Sequence, residues 1–87
     1  MTMVTDWPFP IIKRSVVVRG HKTSISLEEP FWIEFHNIAH ERNVTLTRLL
    51  SEVEETRSAG NLSSAIRMFV LANVKAALAR ASSGRMM

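Results

Sequence analysis

Polar and apolar positions change period once along the chain. Over residues 22–27 they alternate, with Lys22, Ser24 and Ser26 on one side and Thr23, Ile25 and Leu27 on the other. That is the pattern of a strand with one buried face. A β-branched run at residues 15–18 precedes it. Gly20 between the two permits either a tight hairpin or a bulge in one longer strand. From residue 28 the period becomes helical. Phe31, Trp32, Phe35, Ile38 and Ala39 form one stripe over residues 28–42, and Leu46, Leu49, Leu50 and Val53 form a second up to about residue 57. Leu62, Ala65, Ile66, Phe69, Val70, Val74 and Ala77 form a third.

The helix limits are marked by local chemistry. Glu28 and Glu29 favour the positive end of the first helix dipole, Pro30 is tolerated in its first turn, and Asn43 suits a left-handed stop. Thr45 can cap the second helix; Ser58, Ala59 and Gly60 break the pattern, and Asn61 or Ser63 can cap the third. The expected architecture is mainly α with one short β-strand. It divides into a flexible arm at residues 1–14, a domain at 15–80 and a flexible tail at 81–87.

Composition narrows this further. The 87 residues fit one small domain, and a chain this short usually needs a disulfide, a metal or a partner to support its thin core. Cysteine is absent. His21, His36 and His40 make a poor cage, and His36 and His40, four apart on one helix, are too few to hold a metal alone. His21 falls on the inner side of the strand, where a packed histidine is expected. No nucleophile, base and orienting group converge, so neither catalysis nor a cofactor is expected. Nothing before residue 11 resembles a secretory signal. No stretch reaches the roughly 20 apolar residues of a membrane span, since residues 65–79 are interrupted by Arg67, Asn73 and Lys75. A cytoplasmic protein without a membrane partner is the expectation.

A single strand followed by helices leaves backbone groups without a ladder and the Ile25/Leu27 face without a cover. Pairing with the same strand of a second copy would solve both. The result would be an intertwined homodimer with a two-stranded antiparallel ribbon and a shared core of Ile25, Leu27, Trp32, Phe35, Leu49, Leu50 and Val53. The outer face of that ribbon would present Lys22, Ser24 and Ser26 and their symmetry mates. Such a ribbon fits the DNA major groove, where a lysine and short hydroxyls reach base edges.

Charge distribution supports an anionic partner. The chain carries a net +3, and residues 1–27 hold Lys13, Arg14, Arg19 and Lys22 against Asp6, whereas residues 28–43 hold four glutamates against Arg42. Arg14 and Arg19 are therefore expected at phosphates, together with Thr45, Leu46 and Thr47, where a helix start offers free N–H groups and hydroxyls.

The stretch Gly20-His21-Lys22-Thr23-Ser24-Ile25-Ser26-Leu27-Glu28, then Phe31-Trp32, Ile38-Ala39, Thr45-Leu46, Asn61-Leu62-Ser63-Ser64-Ala65-Ile66-Arg67 and Phe69-Val70-Leu71, resembles the ribbon-helix-helix DNA-binding family. It is most similar to the small bacterial subfamily of this Arc/MetJ-like group that carries a third helix. The resemblance implies base contact by Lys22, Ser24 and Ser26, backbone contact by Thr45, Leu46 and Thr47, and action as a nucleoid-associated transcriptional regulator, a repressor among the options. Ser26 departs from the arginine often found at an outward strand position, which removes a bidentate contact to guanine. Two-fold symmetry implies a palindromic or repeated site, with higher oligomers on longer operators.

Two other readings stay open. A small dimeric adaptor or antitoxin-like module would use the apolar third helix, or the arm from Trp7 to Phe9, to dock a protein. A monomer would instead pair residues 15–18 with 23–27 in a hairpin of its own.

Overall fold

The computed structural model describes residues 9–56 and 61–85. Two strands, β1 (Ile11–Val18) and β2 (His21–Glu28), precede three helices, α1 (Glu29–Glu41), α2 (Leu46–Thr56) and α3 (Leu62–Arg85). The strands form an antiparallel hairpin in register from Ile11↔Glu28 to Val18↔His21. Arg19 and Gly20 close it in two residues, with φ of 54° and 82°. Positive φ at both central positions is the geometry whose twist matches the flanking strands.

This hairpin corrects the premise that the strand at residues 22–27 lacks a partner in its own chain. β1 supplies a ladder along one edge of β2 within the same chain. Among the described residues there are two strands rather than one short one. Ile11, Ile12, Lys13 and Arg14, expected in a flexible arm, are the first half of β1, whereas Trp7 lies outside the described residues. At the other end α3 runs through Arg85, into the segment expected to be a tail.

The inner face of the hairpin packs on the helices. Val18, Ile25, Leu27, Trp32, Phe35, Ile38, Ala39, Leu49, Leu50, Val53, Ile66 and Val70 form one buried cluster. It contains all seven residues expected to bury between two chains, and the first half of α3 adds Ile66 and Val70 to it. Ile66 is fully buried, and Phe69 meets Phe35 edge to face, ring centroids 5.9 Å apart. Arg42 at the end of α1 ties the two helices from outside, donating to Asn73 Oδ1 at 2.8 Å and lying over the Phe69 ring.

By length and composition alone, Leu62–Ser82 is long and apolar enough to cross a membrane, contrary to the sequence expectation. Its first half is built into the domain instead, with Ile66 and Val70 in the core. Beyond Val70 it is largely exposed: Leu71, Val74 and Leu78 face outward, as does Met68 one turn earlier.

Local capping follows the sequence. Asn43 takes φ 59°, the Thr45 hydroxyl accepts from Arg48 N–H at 3.1 Å, and Asn61 Oδ1 accepts from Ser64 N–H at 2.8 Å. Each satisfies or redirects backbone groups that a helix end leaves open.

Candidate nucleic-acid interface

Strand alternation sends every second residue of the hairpin away from the helices. On β2 these are Lys22, Ser24 and Ser26; on β1, directly opposite, they are Val17, Ser15 and Lys13. Lys13, Ser15, Val17, Lys22 and Ser24 are exposed, while Ser26 is half-buried. The structure thus brings the three expected base-contact residues onto one surface and adds three from β1.

Ser26 is covered because α3 begins beside it. Its N–H donates to Ser63 Oγ at 3.2 Å, and Arg67 Nη2 donates to its carbonyl at 3.3 Å. Arg67 also bridges to Glu28 at 3.0 Å. Glu28's own backbone hydrogen bond, then the Arg67 guanidinium, hold its carboxyl below the usual carboxylate range. This clamp fixes the β2 edge and the start of α1 to α3. Ser63 and Arg67 were not expected near the ribbon, because only tertiary folding brings them within reach of a strand 37 to 41 residues away.

The expected phosphate-contact residues do not gather on that surface. Arg14 belongs to the inner row of β1, where its guanidinium lies 5.3 Å from the centroid of Trp32. Trp32 in turn donates from Nε1 to the Ile12 carbonyl at 3.0 Å, pinning the open end of the hairpin. Arg19, at the turn, is 2.9 Å from Glu55 Oε2 near the end of α2. Thr45, Leu46 and Thr47 open α2, about 15 Å along the helix from that ion pair. Leu46 packs against the core, and Thr45, Thr47 and Arg48 share a shallow groove with Glu52 and Glu55. Those carboxylates work against a phosphate held there.

His21 is exposed at the turn end of β2 rather than packed on the inner side, although Val18 directly opposite it is buried. His36 and His40 are exposed on α1, and among the described residues no three histidine, cysteine or acidic side chains gather as metal ligands do.

A β-hairpin with a polar outer face, followed by two helices joined through Asn43, defines a ribbon-helix-helix domain with a third helix appended. The sequence model of the ribbon-helix-helix domain family matches residues 11–74, well over half of the 87, and the chain belongs to that family. The match begins at the first residue of β1 and ends where α3 leaves the core, so both the hairpin and the covering half of α3 lie within it. Among curated proteins and solved structures, none matches the chain.

Proposed function

We propose that this chain binds duplex DNA through the outer face of its hairpin and acts at the bacterial chromosome as a transcriptional regulator. The observation that carries this reading is the exposed row of two lysines and two serines, Lys13, Ser15, Lys22 and Ser24, on the outer face of a two-stranded ribbon. A ribbon of that width enters a major groove about 12 Å wide, where hydroxyls reach base edges and lysines reach guanine or phosphate. The net charge of +3 adds general attraction to a polyanion.

Titration with a random duplex at low salt tests it. Affinity falls steeply as salt rises, because neutralised phosphates release counterions. Changing Lys22, Ser24 and Ser26 together to Ala weakens binding. Undiminished affinity in that triple variant places any DNA contact elsewhere and refutes the reading.

A second reading concerns assembly. The exposed Leu71, Val74 and Leu78 continue an apolar groove with Pro30, Phe31 and Val70. Glu34 lines that groove, and Glu34, Glu41 and Arg80 line a neighbouring one between α1 and α3. Two copies packed over this apolar groove make a homodimer that leaves both ribbons free. Sedimentation at micromolar concentration shows a dimer that Leu71→Glu with Leu78→Glu dissociates; a wild-type monomer removes this reading and leaves DNA binding untouched.

A further inference from the structure

Aligning the two strands at an offset of nine residues shows a short repeat that spacing along the chain conceals. Lys13-Arg14-Ser15-Val16-Val17-Val18 lies over Lys22-Thr23-Ser24-Ile25-Ser26-Leu27. Lysine matches lysine and serine matches serine on the outer row. On the inner row Val16 matches Ile25, Val18 matches Leu27, and polar Arg14 matches polar Thr23. Only Val17 against Ser26 differs in kind.

The hairpin register converts this repeat into symmetry. Ser15 stands opposite Ser24, Lys13 opposite Ser26, and Val17 opposite Lys22. A two-fold axis through the midpoint of Ser15 and Ser24, normal to the sheet, therefore exchanges Lys13 with Lys22 and Ser15 with Ser24. We infer that β1 stands in for the symmetry mate of β2, so that one chain presents a complete, nearly two-fold ribbon whose DNA-contacting set includes Lys13 and Ser15 as equals of Lys22 and Ser24. This rests on the DNA-binding reading above and assigns to β1 a role that a two-chain ribbon would give to a second molecule.

Three observations support it. First, β1 has an inner row that the core uses: Val18 is buried, Val16 and Ile12 pack against the cluster, and Arg14 covers Trp32. Second, the β2 edge that would meet another strand is occupied near its end, where Ser63 and Arg67 take both backbone groups of Ser26. Third, the two lysines are diagonal across the ribbon. Four residues along and one strand across put their Cα atoms about 14 Å apart, comparable with the major-groove width of about 12 Å. Each ammonium thus reaches toward a different wall of the groove, while the serine pair lies at its floor. Val17, exposed where its counterpart is Ser26, breaks the symmetry with an apolar contact suited to a thymine methyl. The favoured site is then nearly, but not strictly, palindromic under one hairpin.

Cysteine is absent from the chain, which allows a clean covalent test of the ribbon. Ser15→Cys with Ser24→Cys places two thiols directly opposite, within the span a disulfide needs. Oxidation of that variant gives an internal link and a monomer-sized product under non-reducing denaturing conditions, and Ser24→Cys alone gives no efficient link. In a ribbon made by two β2 strands Ser24 would face its own mate, so ready covalent dimers of Ser24→Cys would overturn the inference.

Affinity for a random 20-base-pair duplex at low salt is then measured for Lys13→Ala and for Lys22→Ala. Each loses roughly three- to tenfold, by factors within about two of one another, and each lowers the salt slope by about one phosphate. A loss confined to Lys22→Ala, or no loss in either, overturns the equivalence while wild-type binding keeps the general reading alive. Failure of the wild type to bind removes that reading, and the cross-link still reports who pairs with β1.

Discussion

The first half of α3 is a structural wall of this domain, and Ile66→Ala measures how much it holds. Ile66 is fully buried between the sheet and the two other helices, and the substitution removes three carbons. At about 0.8 kcal/mol per buried methylene, transfer alone costs about 2.4 kcal/mol, and the residual cavity raises the total to about 3 kcal/mol. A domain of this size has roughly 4 to 13 kcal/mol of stability in all, so the variant loses a large share of it. The expected fall in Tm is about 12–24 °C. Urea titration followed by far-ultraviolet circular dichroism gives the free energy, with an unchanged slope if both states keep their compactness. Leu78→Ala is the reference on the same helix: the side chain is 66% exposed, and the change should stay within about 0.5 kcal/mol. If the two variants cost the same small amount, α3 is not docked as described and the single-chain core is wrong.

Three further outcomes follow from local geometry. Glu28→Gln removes the carboxylate of the Arg67 clamp; because folding lowers the Glu28 pKa, its contribution is present above the unfolded carboxylate range and disappears as pH falls through the folded value. The Tm gap between wild type and Glu28→Gln is therefore widest at neutral pH, narrows once pH enters the unfolded carboxylate range of about 4 and closes as pH falls through the folded value beneath it, and a gap independent of pH contradicts the clamp. Gly20→Ala meets no atom within 4 Å yet sits at φ +82°, so backbone strain alone should cost about 1 kcal/mol in thermal melts; a neutral result means the two-residue turn is wrong. Thr45→Ala deletes the hydroxyl that accepts from Arg48 N–H and should cost about 1 kcal/mol of stability, whereas Thr45→Ser should restore it.

How far each feature was readable depends on the range of the interactions behind it. The three helices and the caps Thr45, Asn61 and Asn43 were legible because they rest on residues three or four apart. The alternation of β2 was legible for the same reason. The first half of β1 is not legible in the sequence because Arg14 has the parity of the inner row, which breaks the apolar row of Ile12, Val16 and Val18. That arginine stays exposed while its guanidinium lies over Trp32, a contact between residues 18 apart that no local pattern announces. The Ser63 and Arg67 clamp on Ser26 was equally hidden, and with it the reason that Ser26 is less open than Lys22 or Ser24. His21 shares the parity of Ile25 and Leu27 yet is exposed, because parity gives the side of a strand and not whether the side chain is covered.

The amino-acid order by itself determined which segments are helical, which side chains of β2 face outward, and the family resemblance those positions carry. It did so because periodicity and capping are properties of a few neighbouring residues. Tertiary structure decided the partner of β2, the source of the cover over Ile25 and Leu27, and the membership of Lys13 and Ser15 in the outer face. Strand pairing and core closure are contests between distant segments, settled by which of them can bury its inner row and satisfy its backbone at once. Here a two-residue turn and a long third helix let a single chain do both.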